Sequence, residues 1–179
     1  MLGEKDLLWT IDEPVDKDSE MHPLVRWQFR GGLAEDDRKA FLFTNVIDGK
    51  GNNYDIPVAV GALAANQQIY GVGMNAAVEE ISAKWGHAID HPIAPRMVNA
   101  APCQEVIWEG DELIGKGKGL DALPVPISTP GFDSAPTLTA ANCITKDPDT
   151  DIQNSGTYRC ALKASDRMVV RMATRVGGA

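Results

Sequence analysis

Cysteine is scarce, and its placement excludes the two roles it most often signals. Only Cys103, Cys143 and Cys160 occur, widely spaced and without a CxxC pair. Neither a zinc knuckle nor a disulfide framework is suggested. Cys143 and Cys160 sit inside apolar runs and read as small core residues. Long hydrophobic runs are missing too, and none approaches the length of a bilayer span. The opening "MLGEKDLLWTIDEPVD" is acidic where a secretory signal would be apolar, so the cytosol is the expected compartment. Positive charge is in short supply: the net charge is −8, with Lys and Arg scattered. Nucleic acid and anionic membrane are therefore not the expected partners. The histidines, His22, His87 and His91, are read as surface or core residues without the carboxylate and spacing of a metal or triad site. No internal repeat or low-complexity run appears.

What remains is an ordinary globular composition. Apolar residues make up 44% and charged residues 23% of 179 positions, enough for one domain or for one small domain and part of another. "LLWTIDEPVD" predicts a short strand over Leu7 to Ile11, with Asp12, Glu13 and Asp16 in a solvated turn. "SEMHPLVRWQF" predicts a helix after a Ser19 cap, with Pro23 in its first turn. "RKAFLFTNVI" and "YDIPVAVGAL" read as strands, the second starting or lying at an edge because of Pro57. From Asn66 to Trp85, residues Ile69, Val72, Ala76, Val78 and Ile81 approximate one helical face, interrupted by Gly71 and Gly73. Strands alternating with helices predict an α/β module.

"HPIAPRMVNAAPCQ" has three prolines and no periodicity and reads as a connector. Beyond it, "QEVIWEG", "LPVPISTPGFDSAP", "TLTAANCITK", "TYRCAL" and "RMVVRMA" are short apolar runs divided by Gly, Pro and Asp. They predict an antiparallel sheet or barrel. The expected division is an N-terminal domain over 1–102 and a second domain over 103–179.

"TYRCALKASDRMVVRMA" has the form of a hairpin. A three-residue loop at Ala164, Ser165 and Asp166 places Leu162 opposite Met168, Cys160 opposite Val170, and Tyr158 opposite Met172. The other face then sets Arg159 against Arg171. Two opposed guanidinium groups repel unless an anion lies between them, and their forks suit a phosphate or carboxylate. Both arginines extending into water, or pairing with acidic residues elsewhere, is the alternative. A two-residue loop would instead pair Arg159 with Met172. "DPDTD" at Asp147 to Asp151 opens like a calcium loop but has Ile152 where glycine is needed and Tyr158 where glutamate is needed. It reads as a solvated turn. The Asn154 side-chain oxygen is a hard neutral ligand suited to Mg²⁺ or Mn²⁺, given phosphate and carboxylates to complete the shell.

These stretches together resemble the UbiD family of decarboxylases, which use prenylated FMN. "LLWTIDEPVD", "FLFTNVI" and "YDIPVAVGAL" are similar to the family's first strands. "APCQEVIWEGDELIGKGKGLDALPVPISTPGFDSAPTLTAANCITKDPDTDIQNSGTYR" is similar to its most recognisable block. The resemblance implies an α+β chain: an N-terminal α/β module followed by the start of a flavin-reductase-like split β-barrel. It implies that Asn154 binds a divalent metal bridging to the flavin phosphate, and that Thr157, Tyr158 and Arg159 line the prenylated FMN. Arg159 would also reach the catalytic acid, and Arg171, Met172, Ala173 and Gly177 would continue the cofactor wall. Many members carry a metal-binding histidine where this chain has Arg171, so a direct phosphate contact is implied there instead. The implied cofactors are prenylated FMN and Mn²⁺ or Mg²⁺, with K⁺ as a further candidate cation.

Family enzymes are far longer, so the metal-binding glutamate and the catalytic acid are expected beyond residue 179. The implied function is the N-terminal portion of a reversible carboxy-lyase acting on an aromatic or α,β-unsaturated carboxylic acid. The alternative is a non-catalytic flavin-binding or partner-binding subunit of a multi-chain carboxylase. The expected partners are a small carboxylic acid, with either a homo-oligomer or a hetero-subunit supplying the acid.

Overall fold

The computed structural model describes residues 1–63 and 65–172. The chain is mixed α/β with small sheets and divides into two compact units. The first unit comprises Met1–Pro14, Pro23–Val46 and Asp55–Ile107, and the second comprises Val15–His22, Ile47–Tyr54 and Trp108–Ala179.

In the first unit, β1 (Leu8–Ile11) pairs parallel with β3 (Ala40–Phe43), and β3 pairs antiparallel with β6 (Val58–Val60). Pro57 precedes the edge strand β6, where its missing N–H costs no ladder bond. Period-two alternation sends Phe41 and Phe43 to one face of β3, where their rings stack at 5.7 Å and Trp9 meets Phe41 edge-on at 5.1 Å. Ala40, on the opposite face, joins Leu7, Ala65 and Ile69 in a buried cluster.

Two buried amides tie the helices to the start of β3. Gln28 of α1 (Met21–Arg30) is fully buried. It donates to the Lys39 carbonyl at 2.9 Å and accepts from the Lys39 N–H at 3.0 Å. Asn66 caps α2 (Gln67–Met74) by accepting from Ile69 N at 2.8 Å, and its Nδ2 donates to the Arg38 carbonyl. Each amide is satisfied at both ends, which is what permits its burial.

The apolar face expected over Asn66 to Trp85 belongs to two helices. Asn75 takes a left-handed φ of 50° and ends α2; α3 begins at Ile81 and runs to Asp90. The chain turns so tightly there that a side-chain carbon on Gly71 would lie 2.7 Å from the Ala76 carbonyl oxygen. Glycine at that position serves the turn rather than weakening a single helix.

In the second unit, β2 (Val15–Asp16), β4 (Val46–Ile47) and β5 (Asn53–Tyr54) form a small sheet. The buried Lys17 donates to both Asp18 carboxylate oxygens, at 2.8 and 3.0 Å, and to the Val125 carbonyl at 3.0 Å. Asp18 in turn accepts from Ile127 N at 3.0 Å. A buried ion pair with these extra hydrogen bonds fixes residues 125–127 against the turn at 16–18, because leaving either charge unpaired there is costly. The segments around "QEVIWEG" and "LPVPIS", predicted as strands, form short 3₁₀ turns and irregular backbone instead. Their backbone groups are satisfied locally and by anchors such as Thr137 N to the Pro126 carbonyl. Gly119, at φ 52°, passes so close to the Ser165 carbonyl that an added Cβ would collide with it.

The same unit buries Asp48, which is 8% exposed. Burial alone would raise its pKa. The Asn52 side chain, the Asn52 and Lys50 amides and the Tyr54 hydroxyl reverse that and hold it at about 2. Because the folded value lies below the unfolded one, the stabilisation is complete above the unfolded pKa of ~4 and is lost as pH falls toward 2. We expect Asp48→Asn to lower stability at pH 7 by about 1–2 kcal/mol and to flatten the pH 4 to 2 branch of the stability curve. Urea unfolding at stepped pH measures both.

Candidate active site on the second strand of a long hairpin

Four of the site residues expected from the sequence, Asn154, Thr157, Tyr158 and Arg159, lie on one strand. β7 (Thr137–Lys146), β8 (Gln153–Ala164) and β9 (Arg167–Val170) form an antiparallel sheet in that order. The Asp147–Ile152 loop joining β7 to β8 is the expected turn. The Asp147 carboxylate accepts from the Asp149 and Thr150 amides, both at 2.8 Å. The Thr150 amide, then that of Asp149, pulls its pKa below the usual carboxylate range. Its carboxylate is occupied by the turn itself.

Across β8 to β9, the pairing of Cys160 with Val170, Ala161 with Val169 and Leu162 with Met168 is the predicted one. The turn is shorter than predicted, since Ala164 rather than Lys163 pairs with Arg167. A register shift at Lys163 absorbs the extra residue and keeps the register beyond it. β9 stops at Val170. Arg171 and Met172 follow it outside any strand, so the Arg159–Arg171 ladder pair is not formed.

Along β8 from Gln153 to Cys160 the strand alternates without interruption. The register shift with β7 falls between Leu138 and Ala141, where two β7 residues, Thr139 and Ala140, oppose Arg159 alone. Successive side chains therefore take opposite faces. Asn154, Gly156, Tyr158 and Cys160 share the half-buried to buried face. The Tyr158 ring folds back over Gly156, where a side-chain carbon would be 2.7 Å away. Burial, then the neighbouring Cys143 thiol, pushes the Cys160 thiol pKa up, so Cys160 is an inert core residue as expected.

Gln153, Ser155, Thr157 and Arg159 share the exposed face. There, Ser155 donates to Asn142 Oδ1 at 2.7 Å. Arg159 Nη2 donates to Asp133 Oδ1 at 3.1 Å, and Asp133 Oδ2 accepts from Thr129 N at 3.0 Å. Thr157 and Arg159 are thus neighbours on one face, whereas Asn154 and Tyr158 share the other face with Gly156 between them. Ala173 and Gly177 lie outside the described residues. Asp133 was not singled out in the sequence; the "TPGFD" turn that presents it was its one available signal.

β9 covers only Cys160–Ala164 of β8. Among the described residues, Gln153–Arg159 are paired on the β7 side alone, leaving an open strand edge flanked by Asn154 on one face and Arg159 on the other. No group of three His, Cys, Asp or Glu side chains is placed to hold a metal ion among the described residues. An ion at Asn154 needs its remaining ligands from outside them.

Residues 96–179 match the UbiD 3-octaprenyl-4-hydroxybenzoate carboxy-lyase Rift-related domain. The chain also superposes on UbiD-class enzymes over nearly its whole length. Its residues 96–179 are a UbiD-type domain. It is similar to the UbiD-class enzyme HmfF from Pelotomaculum thermopropionicum in complex with FMN, at 28% identity and TM-score 0.77, over 97% of this chain and 35% of that one. An evolved dimeric form of HmfF in complex with prFMN matches at 27% identity and TM-score 0.79, over 97% of this chain and 37% of that one. A 3,4-dihydroxybenzoic acid decarboxylase from Enterobacter cloacae shares the fold at 23% identity and TM-score 0.76, over 95% of this chain and 34% of that one. The chain therefore spans about a third of the length of the structures it matches. Among its described residues, no helix is long and apolar enough to cross a membrane.

The Arg159–Asp133 pair joins a half-exposed guanidinium to a more sheltered carboxylate, 57% and 18% exposed. Such a pair contributes about 0–1 kcal/mol. We expect Arg159→Ala to change the unfolding free energy by less than about 1 kcal/mol in chemical denaturation.

Proposed function

We propose that this chain is the N-terminal portion of a reversible carboxy-lyase acting on an aromatic or α,β-unsaturated carboxylic acid, with prenylated FMN and Mn²⁺ or Mg²⁺. The observation that carries this reading is the open Gln153–Arg159 edge, bordered by an arginine and an amide, in a fold shared with enzymes that hold FMN and prFMN.

The side chains suit such a cofactor when it lies along the edge rather than over one face. Regular alternation would keep Asn154 and Arg159 from meeting on either face. A ligand on the edge can reach both, together with unpaired backbone groups. Arg159 would exchange its Asp133 carboxylate for phosphate oxygens, the same charge-assisted donation at little cost to the fold. Asn154 would give one neutral oxygen to the metal, with phosphate and carboxylates supplying the rest. Thr157 beside Arg159 and Tyr158 beside Asn154 would complete the border, and Arg171 and Met172, just past β9, would extend it. Bound prenylated FMN supplies an electron sink for the carbanion left by loss of CO₂. Arg159 orients the phosphate end and, as a nearby cation, lowers the pKa of the catalytic carboxylic acid that the remainder of the enzyme would provide.

In this reading the β7–β9 sheet opens the split β-barrel, and residues 103–179 form the beginning of the cofactor domain after the 1–102 module. The open edge also suits a second reading, in which the chain is a non-catalytic flavin-binding or partner-binding subunit of a multi-chain carboxylase.

Fluorescence titration of the protein with FMN, with and without Mn²⁺, tests the assignment. Arg159→Ala should weaken binding about 10–100-fold, the loss of charge-assisted hydrogen bonds. Asn154→Ala should abolish the Mn²⁺ enhancement. Equal affinity in wild type and Arg159→Ala would overturn the reading. CO₂ release from added acids that appears only when a separate partner chain is mixed in selects the subunit alternative.

A further inference from the structure

His87 and His91 read as surface or core residues in the sequence, yet they meet at the C-terminal end of α3, His87 within it and His91 just past its last residue, Asp90. Both are exposed. Their rings stack with centroids 4.1 Å apart and planes inclined by 23°. His91 Nδ1 lies 3.0 Å from the main-chain oxygen of His87. A carbonyl oxygen can only accept, so Nδ1 carries the proton and the lone pair is on His91 Nε2. An imidazole prepared to bind a metal is arranged this way, with one ring nitrogen tied to a backbone carbonyl and the other free to coordinate. Asp90 adds a neighbouring negative charge, while the Lys84 ammonium is engaged 2.8 Å from the Asn75 carbonyl.

We propose that His87 and His91 form a two-imidazole site for a borderline divalent transition-metal ion. Bonds of about 2.0–2.1 Å from each Nε2 to one ion require both exposed rings to turn out of their stack, so that their in-plane lone pairs converge. Water fills the remaining positions, because no third His, Cys, Asp or Glu completes the group among the described residues. With nitrogen ligands alone the preference follows the general affinity order, Cu²⁺ ahead of Ni²⁺ and Zn²⁺, and disfavours Mg²⁺ and Mn²⁺, which seek oxygen. Binding closes a chelate over the last turn of α3, immediately before the irregular segment that follows His91. That turn is held more firmly when the ion is present, since a ligand bound only by the folded form stabilises it.

The test is calorimetric titration of the 179-residue protein with Cu²⁺ and Zn²⁺. It is run in a Cys103→Ser background, because the exposed Cys103 thiol is a competing ligand. One equivalent should bind through the histidines, with at least a tenfold loss of affinity in His87→Ala and again in His91→Ala. Electron paramagnetic resonance of the Cu²⁺ form should show coupling to two ring nitrogens, falling to one in each variant. Both side chains are exposed, so the variants should keep the wild-type circular dichroism. Unchanged affinity in both variants, as for an ion held by the N-terminal amine, would overturn the proposal. So would coupling to a single nitrogen in the wild type.

Discussion

The strict side-chain alternation of β8 governs everything else at the candidate site. A strand offers only two faces and an edge, and from Gln153 to Cys160 no bulge on β8 relaxes that choice. The irregularity is displaced onto β7 at Thr139 and Ala140, opposite Arg159. Displaced there, it leaves Arg159 on the exposed side with Thr157, and Asn154 on the sheltered side with Tyr158. Among the described residues, the short β9 then leaves the same stretch unpaired along one edge. The proposed ligand is one that lies along that edge.

Around this strand the second unit is held in part by sheltered, hydrogen-bonded polar groups beside its buried Val15, Met21, Val125 and Cys160. Lys17 and Asp18 close residues 125–127, and Asp48 gathers Lys50, Asn52 and Tyr54. Tyr54 responds in kind: burial, then the Asp48 charge, raises its pKa. Such networks specify a single geometry in backbone that has little regular secondary structure, because each broken bond strands a buried group. This gives the 108–136 stretch definite structure without strands.

The parts of the fold set by local chemistry were legible in the sequence. Pro57 marked an edge strand, "HPIAPRMVNAAPCQ" a connector, and "RCALKASDRMVV" a hairpin in the register observed. What was not legible depended on backbone geometry that side-chain patterns do not encode. The left-handed Asn75 splits one apparent helical face into two helices. The 3₁₀ turns of residues 110–122 carry the apolar residues and glycines that also mark short strands. At the site, the residue types were readable but their convergence was not. Whether Asn154 and Arg159 share a face depends on which strand carries the bulge, and the partner of Arg159, Asp133, lies 26 residues away. The four-residue spacing of His87 and His91 gains meaning only once α3 is seen to end at Asp90 with the two rings stacked.

Hydrogen–deuterium exchange across β8, with and without FMN and Mn²⁺, tests the edge placement most directly. The account predicts that amides within Gln153–Arg159 exchange quickly in the free protein and become protected on ligand addition, while Ala161 and Leu162, already covered by β9, change little. Ligand-induced protection elsewhere, with Gln153–Arg159 unaffected, would contradict it.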